Sequence, residues 1–429
     1  MIGKQDLFPI KWALARSVAI LILAGGVLAA GQTESVVYRF KGGSNGLDPI
    51  GSLISDSAGN FYGTACGDGS SNNGTVFQLA RQGGHWTETV LYLFATTGEG
   101  SCPFGELTFD QLGNLYGTAL SGAGLSSTVF ELKRPSAPGN PWTEIVIYTF
   151  PASDDLYDGL VFDKHGNLYG STYSGGDKGM GQVFQLTPSP DGWTETVIHS
   201  FTGGTDGSTP VAGPIIDRWG NLFGLLQEGP GDNYNGAVYE LRAPSSQGDP
   251  WSEHVLYSFK GASDGADPSG RLVFDQKGNL FGVTRLGGTS ASGTVFQLTQ
   301  HRGPWTEAVL YSFCAQSNCP DGSLPEATLT IDGKGNLFGT TYNGGTGGNC
   351  GTGSSCGTVF ELTRPTPGGA WTETVLHSFT GNTGDGYLPR AGLILDKLGS
   401  LWGTTPVGGK LTGPCTFING CGTLFNVRP

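Results

Sequence analysis

The chain has 429 residues, of which 74 are glycine and only 14% are charged, and its formal net charge at pH 7 is −13. This charge disfavours binding to nucleic acids, because neutralising phosphates requires clustered lysine and arginine, and it disfavours anionic lipid surfaces. Abundant glycine together with 11% aromatic residues is typical of many short strands joined by tight turns.

Residues 1–30 have the pattern of an export signal. Lys4, Lys11 and Arg16 precede an apolar run of about 14 residues, and small residues follow near Ala29. A membrane span needs about 20 apolar residues, so this run is short for one. We predict cleavage near Ala29 or Ala30 and a secreted, periplasmic or cell-surface protein that does not insert into the membrane. A retained signal anchor is the alternative.

The stretch FDQLGNLYGT at residues 109–118 recurs along the rest of the chain. Seven copies align on Asp56, Asp110, Asp163, Asp217, Asp275, Asp332 and Asp396, with spacings of 54, 53, 54, 58, 57 and 64 residues. Such a period indicates a propeller or a solenoid. Each unit contains four strand-like pieces, P-x-x-x-L-x-x-D, G-N-L-[YF]-G-T, G-T-V-F-x-L and W-T-E-x-V-L-Y-S-F. We interpret D-x-x-G-N as a hairpin turn rather than a set of metal ligands.

The two ends of the chain indicate that the array closes. The seventh unit stops after residues 422–427 and has no fourth piece, whereas QTESVVYRF at residues 32–40 matches that missing piece. An N-terminal strand that completes the last sheet would close the array and leave only short edges. We therefore predict that residues 31–429 form an all-β, seven-bladed β-propeller with four antiparallel strands per blade. An open solenoid would need polar capping units.

The units GNLFGTTYNGG…GTVFEL and WTETVLHSF resemble the bacterial tandem repeats called Gloeo/Verruco, or GloVer, repeats. The resemblance extends over roughly residues 32–427. It implies an exported repeat protein and leaves the activity open.

Eight cysteines in an exported chain predict four disulfides. Close neighbours would pair, which leaves one longer bridge; the expected pairs are Cys314–Cys319, Cys350–Cys356, Cys415–Cys421 and Cys66–Cys102. In a propeller all eight would lie in loops of one face, which we call the cysteine face. A zinc site is the weaker alternative, because the spacings do not match the usual patterns and no histidine is near.

The histidines do not indicate a catalytic site. His199, His254 and His377 fall in fourth strands, His85 and His301 precede such strands, and His165 lies in a hairpin turn. None is expected on the cysteine face, where a Ser-His-Asp or Cys-His mechanism would need its base. We predict no catalytic residue, no metal centre and no cofactor.

A second turn signal, [DEN]-G-x-x-P, precedes the first strand of most units. It places Asn45, Glu99, Asp206, Asp264, Asp321 and Asp385 at equivalent positions, with Asp154 and Asp155 in the irregular third unit. These residues could ring the channel mouth and bind calcium through oxygen ligands. We favour the interpretation as Asp-Gly turns and leave calcium open.

Positions that differ between units on one face are where an asymmetric ligand could be recognised. Two sets of equivalent positions on the cysteine face differ in this way. They supply the predicted ligand-binding residues Tyr173, Arg285, Tyr342, Glu106, Arg271, Glu326 and Arg390, and one set also contains Tyr157. Tyrosine, arginine and glutamate of this kind are frequent in binding surfaces. An ordinary solvated loop surface is the alternative.

We therefore expect a monomeric, non-catalytic exported propeller that binds an extracellular glycan or protein through the cysteine face. One alternative is a hydrolase or lyase that acts on polysaccharide with a pair of carboxylates among Glu106, Glu326 and Asp267, with or without calcium. Another is a structural protein of the cell envelope. The fourth-strand tryptophans are expected to pack between blades, and the nearby glutamates to discourage edge-to-edge association.

Overall fold

The computed structural model describes most of the chain beyond the predicted leader. The described residues are 34–67, 74–94, 102–120, 126–137, 139–156, 159–231, 233–246, 248–300, 303–348, 356–366, 369–381, 384–409, 411–416 and 419–429. The predicted signal peptide, residues 1–30, lies outside them. Within these ranges no helix is long and apolar enough to cross a membrane.

Regular structure in the described residues is almost entirely strand, with short 3-10 turns at Gly43–Asn45 and Gly413–Thr416. In chain order the strands are β1 Glu34–Arg39, β2 Ile54–Ser55, β3 Phe61–Ala65, β4 Thr75–Gln82, β5 His85–Leu93, β6 Cys102–Pro103, β7 Thr108–Phe109, β8 Leu115–Leu120, β9 Thr128–Lys133, β10 Thr143–Thr149, β11 Val161–Phe162, β12 Leu168–Thr172, β13 Gln182–Ser189, β14 Gly192–Ser200, β15 Ser208–Pro210, β16 Ile215–Ile216, β17 Leu222–Glu228, β18 Ala237–Arg242, β19 Ser252–Ser258, β20 Ala266–Phe274, β21 Leu280–Leu286, β22 Thr294–Gln300, β23 Trp305–Ser312, β24 Thr330–Ile331, β25 Leu337–Thr341, β26 Thr358–Thr363, β27 Thr372–Ser378, β28 Gly386–Tyr387, β29 Ile394–Leu395, β30 Leu401–Thr405, β31 Val407–Gly408 and β32 Thr423–Val427.

These strands form seven antiparallel blades in a closed array. Blades 1 to 6 contain β2–β5, β6–β10, β11–β14, β15–β19, β20–β23 and β24–β27. In blade 7 the strand order is β29, β30, β32 and β1, and β28 pairs with β31. In blades 2 and 4 the first strand is split into two pieces, β6 with β7 and β15 with β16. The prediction of an all-β, seven-bladed propeller is confirmed.

The N-terminal strand β1 closes the propeller. It pairs antiparallel with β32, with Glu34 opposite Val427 and Arg39 opposite Thr423. The N–H of Phe40 donates to the carbonyl of Gly422 at 3.1 Å. Strand β1 is therefore the fourth strand of blade 7, as predicted from residues 32–40, and it covers an edge that would otherwise be unpaired.

The repeated aspartate is a turn residue. Oδ1 of Asp56 accepts the N–H groups of Ala58 and Asn60, both at 2.9 Å, and Oδ2 accepts Nδ2 of Asn60 at 2.8 Å. Gly59 takes φ 83°, which glycine adopts without strain. The backbone contacts recur at Asp110, Asp163, Asp217, Asp275, Asp332 and Asp396. The predicted turn role is confirmed.

The second-strand glycine of each unit faces the aromatic side chain of its own third strand. A Cβ at Gly339 would lie 2.6 Å from Cζ of Phe360 and 3.0 Å from Cδ2 of Leu329. Phe360 is fully buried, so its side chain has nowhere to move. Close approaches to a third-strand aromatic side chain are also made by Gly63, Gly117, Gly170, Gly224, Gly282 and Gly403. Close packing therefore explains the glycine in G-N-L-[YF]-G.

Replacing Gly339 with alanine is expected to destabilise the protein by about 1–3 kcal/mol, because the new methyl group overpacks against Phe360. Chemical denaturation of the purified variant measures the change. Gly333→Ala is the matched control, since no atom lies within 4 Å of a Cβ built there and its φ is not positive. Equal stability of the two variants would contradict the packing argument.

Aromatic side chains join each blade to the next. The phenylalanine that ends a fourth strand packs edge-on against the third strand of the following blade, with a centroid separation of 5.0 Å for Phe313 and Phe360. The tryptophan that opens a fourth strand packs against the preceding blade, as Trp371 does on Phe281 at 6.4 Å. The predicted inter-blade role of the tryptophans is confirmed.

A group of three polar side chains, which we call a junction triad, recurs between blades. It consists of a fourth-strand tyrosine or histidine, a residue of the loop that crosses to the next blade, and the fourth-strand glutamate of that next blade. Tyr257 Oη, for example, donates to Oδ2 of Asp264 at 2.7 Å and lies 3.5 Å from Oε2 of Glu307. The described triads are Tyr38–Asn45–Glu88, Tyr148–Asp154–Glu195, His199–Asp206–Glu253, Tyr257–Asp264–Glu307, Tyr311–Asp321–Glu373 and His377–Asp385–Glu34.

The junction triads correct three expectations from the sequence. The glutamates do not serve as outward charges, because their side chains lie partly buried between blades. The crossing-loop carboxylates of Asp206, Asp264, Asp321 and Asp385 contact fourth-strand side chains at the blade junctions, rather than the first strands as expected. Glu99 lies outside the described residues, and calcium binding stays open. His199 and His377 approach the crossing loops of the cysteine face, where no histidine was expected, through Asp206 at 3.2 Å and Asp385 at 3.6 Å.

Glu307→Gln is expected to raise the melting temperature at pH 8 and to leave it nearly unchanged at pH 4.5. Burial, reinforced by Asp264, raises the pKa of Glu307 to about 7, against smaller opposing effects of Tyr257 and Lys260. The folded state therefore favours the protonated carboxyl, and this contribution is lost as the pH rises through about 7. Solvent screening limits the gain at pH 8 to about 1 kcal/mol or less.

Thermal unfolding at the two pH values tests this expectation. Asp191→Asn, an exposed carboxylate in the β13–β14 hairpin, is the control and should change neither melting temperature. A glutamine variant that is less stable than the wild type at pH 8 would contradict the proposed cost of ionising Glu307.

Candidate ligand-binding site

Disulfides restrain the loops of the cysteine face. Three predicted pairs are present, Cys66–Cys102, Cys314–Cys319 and Cys415–Cys421. The fourth predicted pair includes Cys350, which lies outside the described residues. Cys66–Cys102 joins the loop after β3 to the first strand of blade 2, so it restrains the entrance of two adjacent blades.

The segments that lead into the first strands line an open cavity of about 210 Å³ at the centre of the propeller. Its walls come from blades 1, 2, 4, 5, 6 and 7, and equivalent positions, one residue after the proline of each repeat, contribute Ile50, Phe104, Val211, Ser269, Glu326 and Arg390. The corresponding residue of blade 3 is Tyr157, which lies outside the described residues. A repeated backbone thus presents six different side chains to one cavity.

Arg271 joins opposite sides of the propeller. Its Nη1 donates to Oε2 of Glu106 at 3.1 Å, which connects blade 5 to blade 2 across the channel. Nε and Nη2 donate to the carbonyls of Gly213 and Pro214 in blade 4 at 3.2 and 2.8 Å. The Arg271 side chain is only 13% exposed. These two predicted binding residues therefore form the floor of the site rather than its exposed surface.

The other predicted residues belong to a continuous series of contacts on the cysteine face, which we call the polar arc. It consists of Tyr173, Gln227, Asp267, Arg285, Glu326, Arg390 and Tyr342, and it extends from blade 3 to blade 7. Tyr173 Oη donates to Oε1 of Gln227 at 2.6 Å, and Nε2 of Gln227 lies 3.5 Å from Oδ1 of Asp267.

The middle of the arc is a network of ion pairs. Arg285 donates to Oδ2 of Asp267 at 3.2 Å and to Oε1 of Glu326 at 2.9 Å. Arg390 Nε lies 3.6 Å from Oε2 of Glu326, and its guanidinium lies over Tyr342 at 4.7 Å from the centroid. Each arginine is therefore fixed in orientation by a carboxylate or an aromatic side chain.

Exposure within the arc is uneven. The side chains of Arg285 and Arg390 are 43% and 48% exposed, whereas those of Asp267 and Glu326 are 22% and 17% exposed. The carboxylates therefore lie beneath the guanidinium groups, and these groups and the Tyr173 side chain face solvent. Such a surface offers fixed hydrogen-bond donors beside aromatic side chains.

Backbone conformation helps to hold the arc in place. Asp267 and Leu324, each before the proline of a first strand, take φ values of 54° and 55°. This left-handed conformation is uncommon for residues other than glycine, most of all for leucine. The carbonyl of Leu324 accepts the N–H of Tyr342 at 3.0 Å, and its N–H donates to Ser292 of the preceding blade at 2.8 Å. The strained residue thus links two blades and positions Tyr342.

Sequence reasoning found most of this site but not its connections. Gln227 shares the register of Tyr173 and Arg285, yet glutamine alone gave no reason to select it. Asp267 was considered only as a catalytic carboxylate. The pairings depend on how far each side chain reaches towards the neighbouring blade, which the repeat pattern does not encode.

A family model described as the Gloeobacter/Verrucomicrobia repeat matches residues 156–425, well over half of the chain. The chain belongs to this family. The Gloeobacter/Verrucomicrobia match begins near blade 3 and extends through blade 7, so blades 1 and 2 lie outside the matched range. No curated protein matches the chain.

Solved structures resemble this member of the Gloeobacter/Verrucomicrobia repeat family only distantly. A proposed oxidoreductase (glucose dehydrogenase) from Thermus thermophilus is 18% identical with a TM-score of 0.45, and the match covers 80% of this chain and 100% of that one. PorZ, a surface component of the type-IX secretion system of Porphyromonas gingivalis, is 16% identical with a TM-score of 0.43, and the match covers 83% of this chain and 45% of PorZ. An endo-arabinase from Bacteroides thetaiotaomicron is 15% identical with a TM-score of 0.32, and the match covers 63% of this chain and 96% of the endo-arabinase. Similarity this low does not indicate the ligand of this chain.

Proposed function

We propose that this protein is an exported, non-catalytic propeller that binds an extracellular glycan through the polar arc. The observation that supports this most is the arc itself, in which solvent-facing donors lie between Tyr173 and Tyr342 on a scaffold of fixed ion pairs. Sugars present hydroxyl groups and apolar ring faces, which match oriented hydrogen-bonding groups and aromatic side chains respectively.

Binding is favoured over hydrolysis by the state of the carboxylates. Glu106, Asp267 and Glu326, the candidates for acid–base chemistry, each pair with an arginine. Carboxylates held in this way orient the guanidinium groups. Three disulfides fit an oxidising compartment, which agrees with the export signal expected at residues 1–30.

A glycan array followed by titration calorimetry with the best oligosaccharide tests the proposal. Arg390→Ala is expected to weaken binding at least about tenfold, which corresponds to about 1.4 kcal/mol, because it removes an exposed donor and the cation over Tyr342. Arg242→Ala is the matched control: this arginine is also 48% exposed and ion-paired, with Glu240, but lies at the end of a third strand outside the arc.

Three other results would contradict the proposal. Trp219, which is 69% exposed in the turn between β16 and β17 on the opposite face, is the competing sugar platform. Loss of binding in Trp219→Ala, with Arg390→Ala unchanged, would move the site away from the arc. A blank array together with capture of one extracellular protein would replace the glycan with a protein partner. Release of reducing or unsaturated sugar ends during incubation would show an enzyme instead.

A further inference from the structure

The junction triad between blades 6 and 7 differs in composition from the tyrosine-containing triads, and it differs in its contacts from the one other triad that contains histidine. Five units place tyrosine at the first position of the triad, namely Tyr38, Tyr92, Tyr148, Tyr257 and Tyr311. Where the partner is an aspartate, the tyrosine hydroxyl can donate to it, as Tyr311 does to Asp321 at 2.8 Å. The triad at blades 6 and 7 has His377 at this position, with Asp385 in the crossing loop and Glu34 on the closing strand β1.

The contacts of this triad are incomplete. Nε2 of His377 lies 3.6 Å from Oδ2 of Asp385, too far for a hydrogen bond. Nε2 of His377 is buried and has no hydrogen-bond partner among the described residues. Oε1 of Glu34 is also buried without such a partner, a feature it shares with Glu88, Glu253, Glu307 and Glu373, so the imidazole nitrogen is what distinguishes this triad. In the other histidine-containing triad, by contrast, Nε2 of His199 lies 3.2 Å from Oδ2 of Asp206 and makes that hydrogen bond. A buried polar atom without a partner calls for an explanation, and a bound ion or water supplies one.

The three side chains also have the geometry of metal ligands. One potential ligand atom from each of Glu34, His377 and Asp385 can be chosen so that all three lie within 4.8 Å of one another. In a tetrahedral zinc site with bonds of about 2.0–2.2 Å, ligand atoms lie about 3.4 Å apart. Small side-chain rotations would bring the three ligand atoms from within 4.8 Å of one another to the spacing of about 3.4 Å. Imidazole nitrogen and carboxylate oxygen are both ordinary zinc ligands.

We propose that Glu34, His377 and Asp385 bind one Zn²⁺ ion, with water in the fourth position. Two carboxylates balance the charge of the ion. Asp385 is already oriented for this role, because Oδ1 accepts the N–H of Gly386 at 2.8 Å and Oδ2 accepts the N–H of Thr380 at 2.8 Å. The Thr380 hydroxyl also donates to Oδ2, at 2.9 Å, and its rotation would make a lone pair available to the metal. Outer contacts of this kind commonly orient metal ligands.

The position of the site gives the ion a structural role. Glu34 lies on β1, His377 on β27 of blade 6, and Asp385 in the loop that leads into blade 7. Arg39, on the same strand as Glu34, donates to the carbonyl of Gly384 at 2.7 Å and so already ties β1 to this loop. The zinc ion would bind the closing strand to the preceding blade, and because only the folded protein assembles the three ligands, it would stabilise the closed propeller.

The test uses the whole secreted chain, without a histidine tag, stripped with EDTA and then dialysed. Calorimetric titration with ZnCl₂ is expected to show one ion per chain, and the melting temperature should rise by several degrees with zinc and fall again with EDTA. His377→Tyr, which installs the residue of the five tyrosine-containing units, should fold normally and lose both effects. Glu34→Gln should weaken binding at least tenfold and decides the outcome if His377→Tyr does not fold.

His199→Tyr is the matched control, since it makes the same substitution at the other histidine-containing triad and should retain zinc binding. The proposal is overturned if the wild type binds no zinc, if His377→Tyr binds it as the wild type does, or if His199→Tyr loses it equally. Titrations with CaCl₂ and MnCl₂ complete the test. Tighter binding of either ion than of zinc would overturn the assignment to zinc.

Discussion

Phe40→Ala is expected to lower the free energy of unfolding by about 3–5 kcal/mol, the usual cost of emptying a buried phenylalanine site. Phe40 is fully buried and directly follows the closing strand β1. Its ring packs against Phe77 of blade 1 at 5.1 Å and against Tyr38 at 5.5 Å. Chemical denaturation measures the loss. Removing this side chain weakens the contact through which the two ends of the chain close the propeller.

The equivalent substitution Phe313→Ala separates closure from simple loss of packing. Phe313 occupies the same position between blades 5 and 6, where the chain continues on both sides. Both variants should lose similar stability. Only Phe40→Ala should increase hydrogen exchange at residues 423–427, because β1 then detaches from β32. Unchanged exchange there, or wild-type stability of Phe40→Ala, would show that β1 does not hold the propeller closed.

Arg271→Ala is expected to cost about 2–4 kcal/mol of stability, somewhat below the range for a fully buried ion pair because Glu106 remains partly exposed. The substitution leaves the carbonyls of Gly213 and Pro214 and the Glu106 carboxylate without the donor that crosses the channel. Arg218→Ala, on an exposed turn, is the control and should stay within about 0.5 kcal/mol of the wild type.

Double substitution tests whether the effect lies in the pair. If Glu106→Ala is combined with Arg271→Ala, the double variant should be more stable than the sum of the single losses predicts, since neither charge is then left without its partner. Additive losses would indicate that Arg271 stabilises the propeller through the blade 4 carbonyls alone. Thermal and chemical denaturation of the three variants give the comparison.

The repeat made the fold predictable from the sequence. Seven aspartates at a near-constant period gave the blade count, and the match of residues 32–40 to a missing fourth strand gave the closure. The predictions of the blade count and of the closure both succeeded because each unit contains its own turn signal and its own strand pattern. Local hydrogen bonds, such as those of Asp56, then act in the same way in every blade.

The corrections all concern contacts between blades. Glu307 was interpreted from its position on an outer strand, but its carboxylate lies against Tyr257 of the preceding blade. Asp264 was considered as a channel residue, but it bonds to the same tyrosine. A strand pattern of period two gives the face on which a side chain lies, and it does not give the neighbour that the side chain meets across a blade junction.

The amino-acid sequence by itself determined the number of blades, the turns within them, the closing strand and three observed disulfides, because these depend on local pattern and on repetition. The tertiary structure alone decided which side chains meet around the propeller. Closure brings Glu34 to His377 and Arg271 to Glu106, pairs that no local pattern relates, since their proximity results from the curvature of the whole array. The polar arc and the proposed zinc site are consequences of that closure.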